Sequence, residues 1–439
     1  MKAYLTFAYI LLMLGNPKAS AQDSTSRVLS VQDIFGLAEQ NSKQLAISKY
    51  GINISRQQLE IAKSARLPEI SASADAEYLS NAVILNPDFS HNETVAVPHF
   101  GNNFSLEASQ TLFKGFSIKN NIAKASLQEE LSKLNYDQDK ETIKMLLLSR
   151  YLDLYKLMNQ QKVYQKNIEL AKVRLKNITD LKKEGMVTKN DMIRSELQIT
   201  DLTVLQEEVN SNIAIINKEL CLALGVPGTV RIQVDTLLAQ QKLPETTYEE
   251  YLKQAFHLRP SVKANSINEQ IAEKNISLAK AAKLPTLTLF AGDAMTRPYM
   301  YILPPQDIYT NLYQVGFKLQ YNISSLYHAR EHINLARIEK SRQQKQSELV
   351  EQQAELDVNA SFIKYNEAKN ELLRREKGRQ LADDNYRIVE KKYLNQLALL
   401  TDILDASSAK LAAELNQSNA AINIIYQWYQ LQKATGNLK

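Results

Sequence analysis

From Ser117 to Lys183 the chain carries neither proline nor glycine, and the first helix-breaking residue beyond is Gly185. Within this run Leu127, Leu131 and Leu134 keep i, i+4, i+7 spacing, and Leu147, Tyr151, Leu154 and Met158 do so over eleven residues. That period is the signature of a helix with one apolar face. At 1.5 Å per residue the helix would run about 100 Å. An element of that length finds no room inside a compact globule. It must lie against lateral partners in the manner of a coiled coil. The whole chain agrees with a plan of few, long elements: only 12 glycines and 11 prolines occur in 439 residues, and chains that turn often need both.

The plan occurs twice. Ile61-Ala62-Lys63-Ser64-Ala65-Arg66-Leu67-Pro68 is matched by Leu278-Ala279-Lys280-Ala281-Ala282-Lys283-Leu284-Pro285. The two prolines are 217 positions apart, and the register extends back to Leu29 opposite Thr246. Each copy ends a helical segment at a Leu-Pro step, because proline disfavours helix in the residue before it. Strands are predicted next. Ile70, Ala72, Ala74, Ala76 and Tyr78 alternate with Ser71, Ser73, Asp75 and Glu77; Phe104, Leu106, Ala108 and Leu112 oppose Ser105, Glu107, Ser109 and Thr111. In the second copy Leu287, Leu289 and Ala291 share one parity. Tyr313, Val315, Phe317, Leu319 and Tyr321 oppose Gln314, Gly316, Lys318 and Gln320. Period-two alternation gives each strand one greasy and one wet face. Loops are expected around residues 80–102 and 295–310. Beyond them the register falls to roughly 211, so the second hairpin is about six residues shorter. A second long helix is expected over about 326–392, with return helices over about 188–224 and 398–435.

The amino terminus reads as an export signal. Met1-Lys2 gives a basic start, Ala3 to Leu14 is mostly apolar, and Ala19-Ser20-Ala21 supplies a cleavage site,. The mature chain would begin near Gln22, with no cysteine there to carry a lipid. Elsewhere no apolar run reaches eighteen residues, so membrane entry, if any, would be by strands. The one cysteine, Cys221, permits no intramolecular disulfide and reads as a small buried hydrophobe,. The formal charge of +5 is small, with acidic and basic residues interleaved. No basic stripe with aromatics points to nucleic acid.

Four strands cannot close a barrel by themselves, since the smallest outer-membrane barrels have about eight. They must lie on a soluble core or be completed by other chains. Periodicity leaves both open: a membrane channel subunit, or a non-channel periplasmic coiled-coil scaffold or adaptor.

The segment Tyr393-Leu394-Asn395-Gln396-Leu397-Ala398-Leu399-Leu400-Thr401-Asp402-Ile403-Leu404-Asp405-Ala406 resembles the turn signature of the TolC-like outer membrane efflux family. That signature is a Tyr, a Gly after two residues, then an apolar stretch into Asp-x-Leu-Asp-Ala. A weaker copy is Glu184-Gly185-Met186-Val187-Thr188-Lys189-Asn190-Asp191. The resemblance covers essentially the whole mature chain. It implies a mainly α fold with a small β part: long coiled-coil helical hairpins plus two β-hairpins per chain, assembling as a trimeric α/β barrel. Twelve strands from three chains would line the outer membrane of a Gram-negative bacterium, above an α-helical periplasmic tunnel. The expected layout is a signal peptide at 1–21, a first repeat at 22–228 with its hairpin at about 69–113, an equatorial linker at 229–245, and a second repeat at 246–439 with its hairpin at about 286–322.

The same resemblance implies a passive exit duct, not an enzyme and without cofactor or bound metal, serving a tripartite efflux or type I secretion system. Its partners would be a periplasmic adaptor and an inner-membrane transporter. It places a periplasmic aperture at Asp402 and Asp405, which share a helix face and would form stacked acidic rings in a threefold assembly. Tyr393 would hold the closed state by a hydrogen bond. The adaptor-contacting tips would be Gly185, Met186, Val187 and Thr188, and Asn395, Gln396, Leu397 and Ala398. Two departures stand out. Gln396 replaces the usual glycine, so Asn395 is a candidate for the left-handed position. Arg194 stands where the second half has Asp405.

Two further patterns carry less. His328-Ala329-Arg330-Glu331-His332 fits the H-x-x-E-H zinc-peptidase pattern,, but it follows a strand and opens a solvated helix with no pocket implied. Tyr299, Tyr301, Tyr309, Tyr313, Tyr321 and Tyr327 cluster about the second hairpin and suit a membrane-interface girdle. Trp428, with Tyr426 and Tyr429, reads as core.

Overall fold

The computed structural model describes residues 26–235 and 246–438. The expected signal peptide, and residues 236–245 of the expected linker, lie outside the described residues.

The long helices form where proline and glycine are missing. Helix α3 is Ser117–Lys183 and α7 is Ser325–Leu394, with 67 and 70 residues. Each turns back into a shorter helix, α4 (Lys189–Leu224) and α8 (Leu400–Ala434). Preceding each long helix are a short and a medium one. These are α1 (Val31–Asn41) and α2 (Lys43–Ser64) in the first half, α5 (Tyr248–Leu258) and α6 (Pro260–Ala281) in the second. Within the chain α3 packs on α4 and α7 on α8, and the pairs are joined through α3 and α8; α2 and α6 flank α3, and α6 also packs on α7.

The main core lies at mid-length. Strand β1 (Ser26–Leu29) pairs in parallel with β6 (Arg231–Val234). Ile34, Phe35, Leu148, Tyr151, Leu154, Leu220, Leu224 and Ile232 pack around them, all nearly or fully buried. The Tyr151 hydroxyl donates to the Leu29 carbonyl at 2.5 Å and accepts from the Asp235 N–H at 2.9 Å, so one buried phenol joins both strands to α3. Burial pushes its pKa up to about 12,. Cys221 is fully buried in this core, and Trp428 packs at its edge.

The strands β2 (Glu69–Tyr78), β5 (Phe100–Lys114), β7 (Thr286–Arg297) and β8 (Thr310–Gln320) form one antiparallel sheet in that order. The two hairpins are joined through β5 and β7, so each half contributes two adjacent strands. Among the described residues no helix is laid along this sheet. Ile70, Phe104, Leu106, Leu112, Tyr313, Val315, Phe317 and Leu319 stay exposed, Tyr313 at 81 %. A sheet on a soluble core would have buried one parity. The outer edges of β2 and β8 are unpaired among the described residues.

The segment expected as a loop at 80–102 contains a small hairpin of its own, β3 (Ala82–Leu85) with β4 (His91–Val95). Its turn carries Phe89 at φ 64°. Strands of four and five residues are too short for alternation to register. The other loop is folded back on itself: Arg297 donates twice to the Asp307 carboxylate, at 2.6 and 2.9 Å.

Candidate functional site at the helical tips

The two tip turns have the same backbone. At the first, Gly185 N–H donates to the Lys182 carbonyl and Met186 N–H to that of Leu181. At the second, Gln396 N–H donates to Tyr393 and Leu397 N–H to Lys392. These are equivalent positions in the 211-residue register, and they close α3 and α7 as Schellman motifs do. Gly185 sits at φ 77° and Gln396 at φ 62°. The left-handed residue is therefore Gln396 itself. Asn395 remains on the negative side at φ −94°, and its side-chain amide donates to the Lys391 carbonyl. The turn's hydrogen bonds fix that conformation whatever residue occupies it. The Gln396 amide also reaches Met186 Sδ at 3.1 Å, so the tips touch each other.

After each turn an aspartate starts the return helix. Asp191 accepts from Thr188 N–H at 2.9 Å and from its hydroxyl at 2.8 Å, and Asp191 N–H donates back to Thr188 Oγ1. This is a full capping box. Its counterpart Asp402 accepts from Leu399 N–H at 2.9 Å, but leucine offers no acceptor in return. Asp402 thus has a local structural role. Asp405, one turn on, is exposed and takes part in no hydrogen bond or ion pair among the described residues. Both carboxylates face solvent, as does Arg194.

Tyr393 is 7 % exposed and packs with Ile178, Tyr386, Leu400, Ile403 and Ala406. Its hydroxyl is buried and has no hydrogen-bond partner among the described residues. The bond expected of it is not made among the described residues. Burial raises its pKa, with the Asp191 charge adding to the effect. Of the expected tip residues, Met186 and Leu397 are exposed at 56 % and 76 %. Val187 and Ala398 instead pack partly against the Tyr393 cluster. His328 and His332 project into solvent from the first turns of α7.

A second feature of the tips is absent from the sequence reading. Arg174, 6 % exposed, reaches Gln198 on α4 at 2.9 Å and both Tyr386 on α7 and Ser407 on α8 at 3.3 Å. It joins all four helices. Tyr386 in turn donates to Glu390 at 2.8 Å. Lys410 lies 4.7 Å from the Tyr386 ring and pairs with Asp383 at 2.5 Å. Ala171 and Ile178 are buried three residues before and four after Arg174. The spacing that makes those two a seam places the arginine in it, and that was the available signal.

A sheet with no cover, free at both edges, and carried on helices of about 100 Å is the build of one subunit of a channel through an envelope. Residues 251–437 match the family model described as Outer membrane efflux protein. The curated protein BepC of Brucella suis biovar 1 (strain 1330), named an outer membrane efflux protein, is 22 % identical over 413 residues, 91 % of this chain and 84 % of BepC. The outer membrane protein VceC of Vibrio cholerae superposes with a TM-score of 0.74 at 12 % identity, over 92 % of this chain and 96 % of VceC. The open-state MtrE outer membrane channel of Neisseria gonorrhoeae does so with 0.72 at 17 % identity, over 93 % and 89 %. The second half of this chain thus matches the outer membrane efflux protein family, and the whole chain shares the fold of these outer-membrane channels.

Proposed function

We propose that three copies of this chain form a passive exit duct from periplasm to outside, used by an inner-membrane pump through a periplasmic adaptor. The protein is an outer-membrane channel subunit whose helices extend into the periplasm. The observation that carries the trimer is the uncovered sheet with free β2 and β8 edges. Open edges are not tolerated in lipid, and β8 of one copy against β2 of the next would remove them. Three copies of four strands give twelve, an allowed even number.

Two other features support the reading. Tyr309 and Tyr321 bracket β8, whose 11 residues span about 36 Å; tilted near 45° they cover about 25 Å, the height of an outer-membrane apolar band,. The helices also leave matching faces open. On α4, Ile193, Leu197, Val204, Ile215 and Leu222 are exposed; on α7, Leu349, Leu356 and Ile363 are exposed at strict seven-residue spacing. Such stripes are coiled-coil seams awaiting a partner, and α4 against α7 of the next copy would cover both.

At the tips, exposed Met186 and Leu397 are the contacts we assign to the adaptor. Gly185, Thr188, Asn395 and Gln396 shape the turns that present them. Asp405, free of any local role, is the better candidate for the acidic ring at the aperture, with Asp402 beside it and Tyr393 packed behind. The layout of two repeats joined by an equatorial linker follows from the same reading.

The test is the native mass of the mature protein extracted in mild detergent. A trimer of about 145 kDa that precipitates on detergent removal is expected from a chain of 49.8 kDa before processing,. A monomer or dimer soluble without detergent would sink the duct and leave the scaffold. The aperture has its own test in planar bilayers: Asp405→Ala should weaken block by divalent cations, and unchanged block would remove the residue from the gate.

A further inference from the structure

A cavity of about 380 Å³ lies where α3, the start of α6, α7 and the last turns of α8 converge. It is far from the tips and is not used by the transport reading. Glu141 of α3 lines it and is 8 % exposed, and no side chain donates a hydrogen bond to its carboxyl. Arg259, at the start of α6, is held from two sides. Its Nη2 donates to Asp357 of α7 at 2.6 Å and its Nε to Ser261 at 3.0 Å. Its backbone is clamped by Gly436, where a Cβ would fall 2.6 Å from the Arg259 nitrogen. Yet its Nη1 is buried without any acceptor. Lys433 of α8 also lines the cavity, with no ion pair among the described residues.

A buried guanidinium N–H without an acceptor is costly, and the site's chemistry says what would satisfy it. Arg259 and Lys433 bring two positive charges and Asp357 one negative. On α3, Asp137 and Lys140 pair with each other at 3.3 Å and cancel. With Glu141 protonated the site carries one net positive charge and offers one extra O–H donor. With Glu141 ionised the net charge is zero and that donor is gone. Burial pushes the Glu141 carboxyl up to about 7, so both forms are populated near neutral pH,.

We propose that this cavity is a proton-linked binding site for a small carboxylate anion. Its oxygens accept from Arg259 Nη1, Lys433 Nζ and the Ser261 hydroxyl, and the protonated Glu141 donates to it. Binding takes up one proton on Glu141 where that group was ionised, so affinity falls as pH rises.

The test is calorimetric titration of the full-length mature protein in detergent with acetate, with chloride as the comparison. Acetate should bind about tenfold more tightly at about pH 6 than at about pH 8, the ratio set by the protonated fraction of a group titrating near neutrality. Glu141→Gln keeps a donor of the same shape and should bind acetate equally at both pH values. Lys433→Met should weaken binding at the lower pH at least tenfold. Acetate heats no different from those of chloride would overturn the site. A wild-type affinity independent of pH, or a Glu141→Gln variant that keeps the tenfold ratio, would overturn the proton linkage.

Discussion

At the scale of single residues, Gln396 holds a conformation that its side chain disfavours. A non-glycine residue in the left-handed region costs about 1–2 kcal/mol, and Gln396 lies there at φ 62°. Its first-half equivalent is Gly185. Gln396→Gly should therefore steady the second tip by about 0.5–1 kcal/mol, part of the gain being offset by glycine's freer unfolded chain. Slower hydrogen exchange at the amides of residues 396 and 397 would register it; unchanged or faster exchange would mean that the Gln396 contact with Met186 outweighs the strain. Glu141 gives a prediction in pH. Its folded pKa is raised from 4.5 to about 7 by burial. The folded chain then keeps a proton that the unfolded chain releases, so stability falls as pH rises from about 4.5 to 7 and levels off above. The full displacement corresponds to about 3 kcal/mol. Melting curves between those limits should show the decline, and Glu141→Gln should flatten its share of it. Neither residue's role was legible in sequence. An odd residue at a glycine position can be noticed there, but the φ angle and the burial depend on what the rest of the chain packs around it.

At the scale of elements, the long helices were read nearly to the residue, because proline and glycine punctuate them and apolar spacing runs between. The capping aspartates were legible only in part. Asp402 was read as part of an acidic pair, and its acceptance from Leu399 N–H emerges only once the turn is formed. The Arg174 network is the clearest case of an unread element contact, since its three partners come from three other helices. Arg174→Lys keeps the charge but loses the fork that reaches all three. It should loosen the joint between the helical hairpins by about 1–3 kcal/mol. Faster exchange across residues 384–407, with the mid-length core unchanged, would record that loss. Exchange unaltered at the tips would show that the hairpins are held by the Tyr393 cluster alone.

At the scale of the whole molecule, the single chain leaves apolar surfaces and strand edges uncovered. Its sheet has two free edges and its long helices carry seams with nothing in them. If α4 and α7 of neighbouring copies close those seams, Leu356→Glu should prevent assembly while leaving each chain's fold intact, since Leu356 is 60 % exposed here. Detergent gel filtration should then show monomer with unchanged helical circular dichroism. A normal trimer would mean that the α7 stripe faces solvent or another partner.

The sequence by itself determined the long elements: the helix lengths, the parity of the four long strands, the twofold repeat and its change of register from 217 to 211; the short strands β1, β3, β4 and β6 left no such mark. These are local or periodic properties, written in the spacing of apolar residues and the placing of proline and glycine. Tertiary structure alone decided that the sheet has no cover, because periodicity reports that a strand has an apolar face and not what lies against it. It alone brought Arg174 to Tyr386, 212 residues away, and gathered Glu141, Arg259 and Lys433 around one cavity. Contacts between distant residues of unremarkable type leave no mark on spacing; they exist only once the helices have crossed.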